Sequence, residues 1–344
     1  DNKIKSHRGD LVGANSWSNL DELFVIMDNT IDEYVVLRNF EKLPHGLIIN
    51  GPNGIGKEFL SREIASRLLL NKTTKILDKE LFNSNNHPDF FMLDKEQILL
   101  KHITLREKEW DDELGHRNVN DFLSVTPSIA INKVALILNG QTMKKESQNA
   151  LLKSLEEPAP NTFIIITTNR PRSLYKTIYS RCQVINIPPL SNDDLDEWLL
   201  ANGITDFKSH DFPSYKTPLR IIDDISNDQQ FKFKDFINVL SNFLNNNSDQ
   251  LAVIKSLNNL DIDKISKLNF MVEFLKIVLK SKLLSENLSG IYKDFNNAKF
   301  NNLKLSNILN DLNNTRAKYY EVPQINENHV LNYYLSELKN SIKI

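Results

Sequence analysis

A chain of 344 residues, 40% of them hydrophobic, has room for two or three domains with substantial cores. Its 42 basic and 44 acidic residues leave a formal net charge of −2, so it carries no overall electrostatic footprint for nucleic acid, and any DNA contact must be local or borrowed from a partner. Cys182 is the single cysteine, which excludes an internal disulfide and a four-cysteine zinc site.

The first residues are polar and carry both signs of charge, unlike a secretory signal. No apolar run approaches the ~20 residues that span a bilayer, so a soluble, cytosolic protein is the expectation. From residue 46 to 188, short apolar runs alternate with longer amphipathic stretches, the pattern of a wound α/β sheet. The runs are Leu47–Ile49, Phe90–Leu93, Val134–Leu138, Phe163–Ile166 and Val184–Ile187, each bounded by turn-forming or polar residues.

The first run leads into Gly51-Pro52-Asn53-Gly54-Ile55-Gly56-Lys57-Glu58. This is a phosphate-binding loop, complete except at its last position. A helical pattern follows, predicted to place Phe59, Ile64, Ala65, Leu68 and Leu69 on one side. Strand, loop and helix in that order are the context that gives G-x-x-x-x-G-K-[ST] its meaning. Gly51, Gly54 and Gly56 let backbone N–H groups close around phosphate oxygens, with Lys57 and the helix N-terminus adding positive charge. Glu58 stands where a hydroxyl should hold Mg²⁺. A carboxylate ~4 Å from a phosphate charge is repelled by about 4 kcal/mol near a protein surface. The plainer reading is a Gly-rich turn in which Glu58 suits a helix start through the dipole.

A doubly wound sheet binds ligands beyond the C-terminal ends of its strands, so this loop and the residues after Leu138 and Ile166 should share one crevice. An ATPase needs an acidic pair there, to hold Mg²⁺ and to polarise water. Asn139 and Gly140 follow the run that begins at Lys133, and neither supplies a carboxylate. Glu58, Asn139 and Gly140 together predict a site that does not hydrolyse ATP.

Further on come Thr167-Thr168-Asn169 and a basic stretch carrying Arg170, Arg172, Lys176 and Arg181. By default this stretch is a solvated face; its sharper reading is a contact with DNA or with a partner's nucleotide phosphates. The histidines, His87, His102 and His116 among them, lack metal-ligand spacing. Past Pro188-Pro189, Ser191 is a plausible N-cap for a helix through Leu195, Trp198 and Leu199, and Thr217-Pro218 suits another helix start. From about residue 229 the pattern is all helical. One stripe holds Phe233, Phe236, Ile237, Leu240, Phe243 and Leu244, and another Leu268, Met271, Val272, Leu275, Val278 and Leu279. Leu305, Ile308, Leu309 and Leu312 make a third, and Val330, Leu331, Tyr334, Leu335 and Leu338 a fourth, as in a bundle core.

Three motifs in order carry a family resemblance: Asn149-Ala150-Leu151-Leu152-Lys153-Ser154-Leu155-Glu156-Glu157-Pro158, then Thr167-Thr168-Asn169, then Ser180-Arg181-Cys182. With the phosphate loop ahead of them and the helical tail behind, the chain resembles the clamp-loader branch of the AAA+ ATPases. Pro44-His45-Gly46 and His87-Pro88-Asp89 are similar to the bacterial members. The missing hydroxyl and acidic residues, and the absence of cysteine between Leu70 and His87, resemble the delta-prime branch.

That resemblance implies a RecA-like AAA+ domain over residues 1–187, a small helical lid over 188–228 and a helical collar over 229–344. It further implies a non-hydrolysing member of a five-membered ring that helps load a sliding clamp on primed DNA. Its partners would be the loader's motor subunits and delta subunit, with the clamp and primer-template DNA met through the complex. Arg181 would be an arginine finger reaching a neighbour's γ-phosphate. Thr167, Thr168 and Arg220 would occupy sensor positions. No cofactor or zinc would be required, although Lys57 leaves residual ATP or phosphate binding open. Two other readings remain open at this point: a hydrolysing, motor-type loader subunit, and a P-loop small-molecule kinase.

Overall fold

The computed structural model describes residues 43–70, 76–104, 111–115, 117–245, 249–321 and 326–342, the side chains of 319–321 excepted. Five strands are β1 (Gly46–Asn50), β2 (Phe90–Leu93), β3 (Lys133–Ile137), β4 (Thr162–Thr168) and β5 (Gln183–Asn186). They form one sheet in the order β2-β3-β4-β1-β5, parallel throughout. Parallel strands need crossover connections, and these are supplied by α1 (Lys57–Leu70), α2 (Ile76–Asn83), α3 (Leu100–Ile103), α4 (Val119–Ser124), α5 (Lys145–Glu156) and α6 (Lys176–Tyr179). Each of the five apolar runs is a strand: the ends of β2 coincide with its run, and those of the others shift by one or two residues. The third ends at Ile137 rather than Leu138.

Val, Ile, Leu and Phe fill these strands because both faces of the sheet are covered. One face packs Ile48, Phe91, Ala135, Ile137, Ile164 and Ile166 against Leu151 and Leu155 of α5 and Ile178 of α6. In α1 the buried stripe is Leu60, Ser61, Ile64, Ala65, Leu68 and Leu69. Phe59, expected on that stripe, is instead 37% exposed. Leu60 sits at the core-facing phase of the 3.6-residue repeat with Ile64 and Leu68, so the ring of Phe59 points away.

The described chain divides into two compact units. One runs to Leu190 and includes Thr217–Leu219; the other holds Ser191–Lys216 and everything from Arg220 on. The second unit is helical: α7 (Asn192–Ala201), α8 (Pro218–Ser226, whose first two residues belong to the first unit), α9 (Lys232–Leu244), α10 (Gln250–Asn259), α11 (Lys264–Leu284), α12 (Asn302–Glu321) and α13 (Glu327–Ser341). Ser191 caps α7, accepting from the Asp194 N–H while the Asp194 carboxylate accepts from Ser191. Pro218 opens α8. The four apolar stripes converge on one core, in which Leu279, Leu309 and Val330 are partly buried and the rest fully so.

Within this unit, segment 191–216 is tied to the bundle by polar contacts. The buried carboxylate of Glu273 accepts the Ser214 N–H at 2.9 Å, and Lys234 reaches Asp211 at 3.4 Å.

Candidate functional site

Because the strands are parallel, the loops leaving β1, β3 and β4 emerge at the same end of the sheet, side by side in the order β3-β4-β1. The crest of the phosphate loop takes left-handed backbone at Gly54 (φ 81°) and Gly56 (φ 99°), which glycine alone adopts without strain. Gly51 is fixed differently: a Cβ there would sit 2.9 Å from the Ile187 carbonyl oxygen. Its own N–H donates to the Thr168 carbonyl at 3.2 Å, joining the loop to the end of β4.

Lys57, the first residue of α1, bends back so that Nζ donates to the Pro52 carbonyl at 2.6 Å. Burial lowers its pKa to about 8. The ammonium that would meet phosphate is therefore bonded to the loop itself and gives up its proton more readily than a free lysine does. Glu58 follows on the exposed side of α1. Its carboxyl lies above the usual carboxylate range, first through desolvation beside the loop and then through the charge of Asp94, with Arg62 opposing.

β3 ends at Ile137. Leu138, 4% exposed, still donates its N–H to the Leu93 carbonyl at 2.9 Å, and Asn139 and Gly140 follow; none of the three is acidic. Asn139 is left-handed (φ 53°), and its N–H donates to Thr167 Oγ1 at 3.1 Å. Gly140 is buried, and a Cβ at that position would meet Ile166 Cγ2 at 2.6 Å. Thr168 is fully buried, its hydroxyl 3.1 Å from Ser173 Oγ and 3.2 Å from the Arg170 carbonyl and N–H. Gly51, Gly54, Gly56, Lys57, Asn139, Thr167 and Thr168 thus form one constellation, without a carboxylate at the tips of β3 and β4. Among the described residues, no group of three or more His, Cys, Asp or Glu side chains could hold a metal ion.

Arg181 is not part of that constellation. It precedes β5, whose first residue Gln183 pairs with Leu47 at the start of β1. Leu47 and Gly51 are about 13 Å apart along a strand at ~3.3 Å per residue, and Arg181 lies further back still. It therefore belongs to the N-terminal end of the sheet, remote from the chain's own phosphate loop. Its Nη2 is 2.7 Å from Glu156 Oε1, and its Nη1 donates to the Thr177 carbonyl at 2.9 Å and to Ser180 Oγ at 3.3 Å. Cys182 beside it is half-buried, with its thiol pushed up to about 12 by desolvation. That makes it a packing group rather than a nucleophile. Arg170, Arg172 and Lys176 are exposed. Arg220 lies in the second unit, 51% exposed and 3.6 Å from Asp223.

Several residues gain a role that sequence patterning did not assign. Asp89 is fully buried, and its carboxylate accepts the N–H groups of Ser128 at 2.6 Å, Ile129 at 2.7 Å and Ala130 at 2.8 Å. His87 accepts the Asp89 N–H at 3.1 Å. His87-Pro88-Asp89 is thus a loop clamp before β2, and an Asp that follows His-Pro at a strand start was the available signal. His102 pairs with Asp111 at 3.1 Å; His116 lies outside the described residues. No described helix is long and apolar enough to cross a membrane.

Comparison with known proteins places this α/β unit. Residues 28–191 match the family model described as DNA polymerase III, delta subunit. A DNA polymerase III subunit delta' from Haemophilus influenzae is 29% identical over 164 residues, covering 46% of this chain and 47% of that protein. One from Buchnera aphidicola subsp. Baizongia pistaciae is 24% identical over 250 residues, covering 69% and 72%. A DNA polymerase III subunit gamma from Buchnera aphidicola subsp. Schizaphis graminum is 26% identical over 238 residues, covering 68% and 61%. The chain spans about half the length of the Haemophilus protein, and more of the Buchnera ones.

Proposed function

From its likeness to the delta-prime subunits of bacterial DNA polymerase III, we propose that this chain is a non-hydrolysing clamp-loader subunit of the delta-prime type. Residues 1–187 serve as a RecA-like AAA+ domain, 188–228 as a helical lid and 229–344 as a collar that joins the ring. The observation that carries the reading is the separation of two half-sites. The phosphate loop stands at one end of the sheet without an acid at the tip of β3. Arg181 stands at the other end, where it can serve only a phosphate brought by another molecule.

In this reading the chain does no chemistry of its own. Guanidinium suits its task because it is permanently charged and forks onto two phosphate oxygens. The partners are the motor subunits and delta subunit, with the sliding clamp and primer-template DNA engaged through the assembly in the cytoplasm. No cofactor is required; Lys57 retains weak phosphate or nucleotide binding. Intact-complex mass spectrometry of the chain mixed with motor and delta subunits, alongside ATP turnover of each component, tests this. One copy in a ring, and turnover only when motors are present, is the expected result. Turnover by the isolated chain that vanishes on Lys57→Ala would establish the motor-type reading instead.

A further inference from the structure

We infer that Glu156 is a positioning residue for Arg181, holding its guanidinium aimed outward for a phosphate carried by a second protein; this rests on the arginine-finger reading above. Glu156 is the last residue of α5, where the carbonyl end of the helix dipole disfavours a carboxylate. Helix formation thus gives no reason for an acid at this position. Arg181 supplies one, with Nη2 2.7 Å from Oε1 and the two side chains 33% and 47% exposed.

A half-exposed pair of this kind adds little to stability, so its consequence is geometric. An arginine on its long stem samples many rotamers, and binding must arrest them. Here the guanidinium is already held at three points: Glu156, the Thr177 carbonyl and Ser180 Oγ. These take three of its five N–H donors. Nε–H and one Nη2–H have no partner among the described residues, enough for a fork onto two oxygens.

The base of Glu156 is itself fixed. The Leu155 carbonyl is 2.9 Å from His45 Nε2. A Cβ on Gly46 would meet Leu155 Cδ2 at 3.1 Å and Cys182 Sγ at 2.8 Å, so glycine there lets the end of α5 and the Arg181-Cys182 turn close on the same strand. Glu156 also carries a negative charge near the incoming phosphate. Exposure screens that repulsion, whereas the loss of orientation is not screened, so positioning should outweigh it.

The test is steady-state ATPase of the reconstituted loader carrying this chain as wild type, Glu156→Gln, Glu156→Asp, Arg181→Ala or the double variant. Ring assembly is checked by intact mass. Immobilising a rotamer-rich side chain costs a factor of roughly two to ten, so Glu156→Gln should lower kcat at the affected site by that factor and leave KM unchanged. Glu156→Asp should recover part of it, and Glu156→Gln should add nothing once Arg181 is alanine. A loss with Arg181→Ala but none with Glu156→Gln would overturn this inference alone. So would a rise in kcat with Glu156→Gln, which would mean that repulsion dominates, or an additive loss in the double variant. No loss with Arg181→Ala would overturn the finger reading and this inference together.

Discussion

Thr217 Oγ1 donates a 2.7 Å hydrogen bond to the carbonyl oxygen of Asn53, 164 residues away in sequence. Two residues on, the Leu219 N–H reaches the Gly54 carbonyl at 3.2 Å. The crest of the phosphate loop is therefore held by a segment with which it shares no local sequence. Thr217 is 4% exposed and Asn53 is exposed, so the bond is partly buried. Thr217→Val, nearly isosteric, should cost about 0.5–1.5 kcal/mol of unfolding free energy and speed hydrogen exchange selectively across residues 53–56. Unchanged exchange in that loop would mean that the bond does not restrain it.

Lys57 makes a prediction with a definite sign. Burial lowers its pKa from 10.5 to about 8, so between those values the unfolded chain binds more protons and stability rises with pH. Below about pH 8 both states are protonated, and the folded state bears the full cost of burying the charge. Lys57→Met should therefore raise the melting temperature at pH 7, and its advantage should shrink as pH climbs from 8 toward 10.5. Paired thermal melts across that range decide the matter. An advantage that grows with pH would show that the bond to Pro52, not burial of charge, governs this lysine.

Gly140 bears on whether hydrolysis could be restored. A Cβ there would lie 2.6 Å from Ile166 Cγ2 and 3.2 Å from the Thr167 carbonyl oxygen, and both neighbours belong to the buried strand β4. Gly140→Glu should destabilise by about 1–3 kcal/mol through overpacking, measured by urea denaturation, and should give no Mg²⁺-dependent ATP turnover. Activity gained by that single change would contradict the geometry of the strand tip.

What could be read before folding follows the range of the forces involved. The five strands and the phosphate loop announce themselves locally, because short apolar runs and glycines at left-handed positions are properties of adjacent residues. The cap at Ser191 and the helix start at Pro218 are local too. The tip of β3 was placed one residue late because Leu138 is as apolar as the strand it follows; its ladder ends at Ile137. Phe59 was misplaced because a helix face is settled by what packs on it, and Leu60 took that phase. Pairings such as Glu156–Arg181, Asp89 with residues 128–130, and Thr217–Asn53 join distant segments. They leave no periodic trace, and only the folded chain brings them into reach.

Arg181 gives the sharpest test of the functional reading. Its side chain is one-third exposed and its bonds to Glu156, Thr177 and Ser180 are peripheral to the core, so Arg181→Ala should leave the unfolding free energy within about 1 kcal/mol of wild type. Ring assembly should be equally unaffected. An arginine finger contributes roughly 10³–10⁵ in turnover at the site it serves, but a loader with several motor sites keeps the arginines of its other interfaces, so total ATPase should fall by less. Arg181→Lys should rescue poorly, because ammonium keeps the charge and loses the fork. The control is Lys57→Ala in the same chain. If Arg181 acts on a neighbour's nucleotide, removing this chain's own phosphate-binding lysine should leave the clamp- and DNA-stimulated ATPase of the loader intact while Arg181→Ala depresses it. Equal ATPase and clamp-loading rates for wild type and Arg181→Ala would end the trans-acting role and leave Arg181 a surface arginine paired with Glu156.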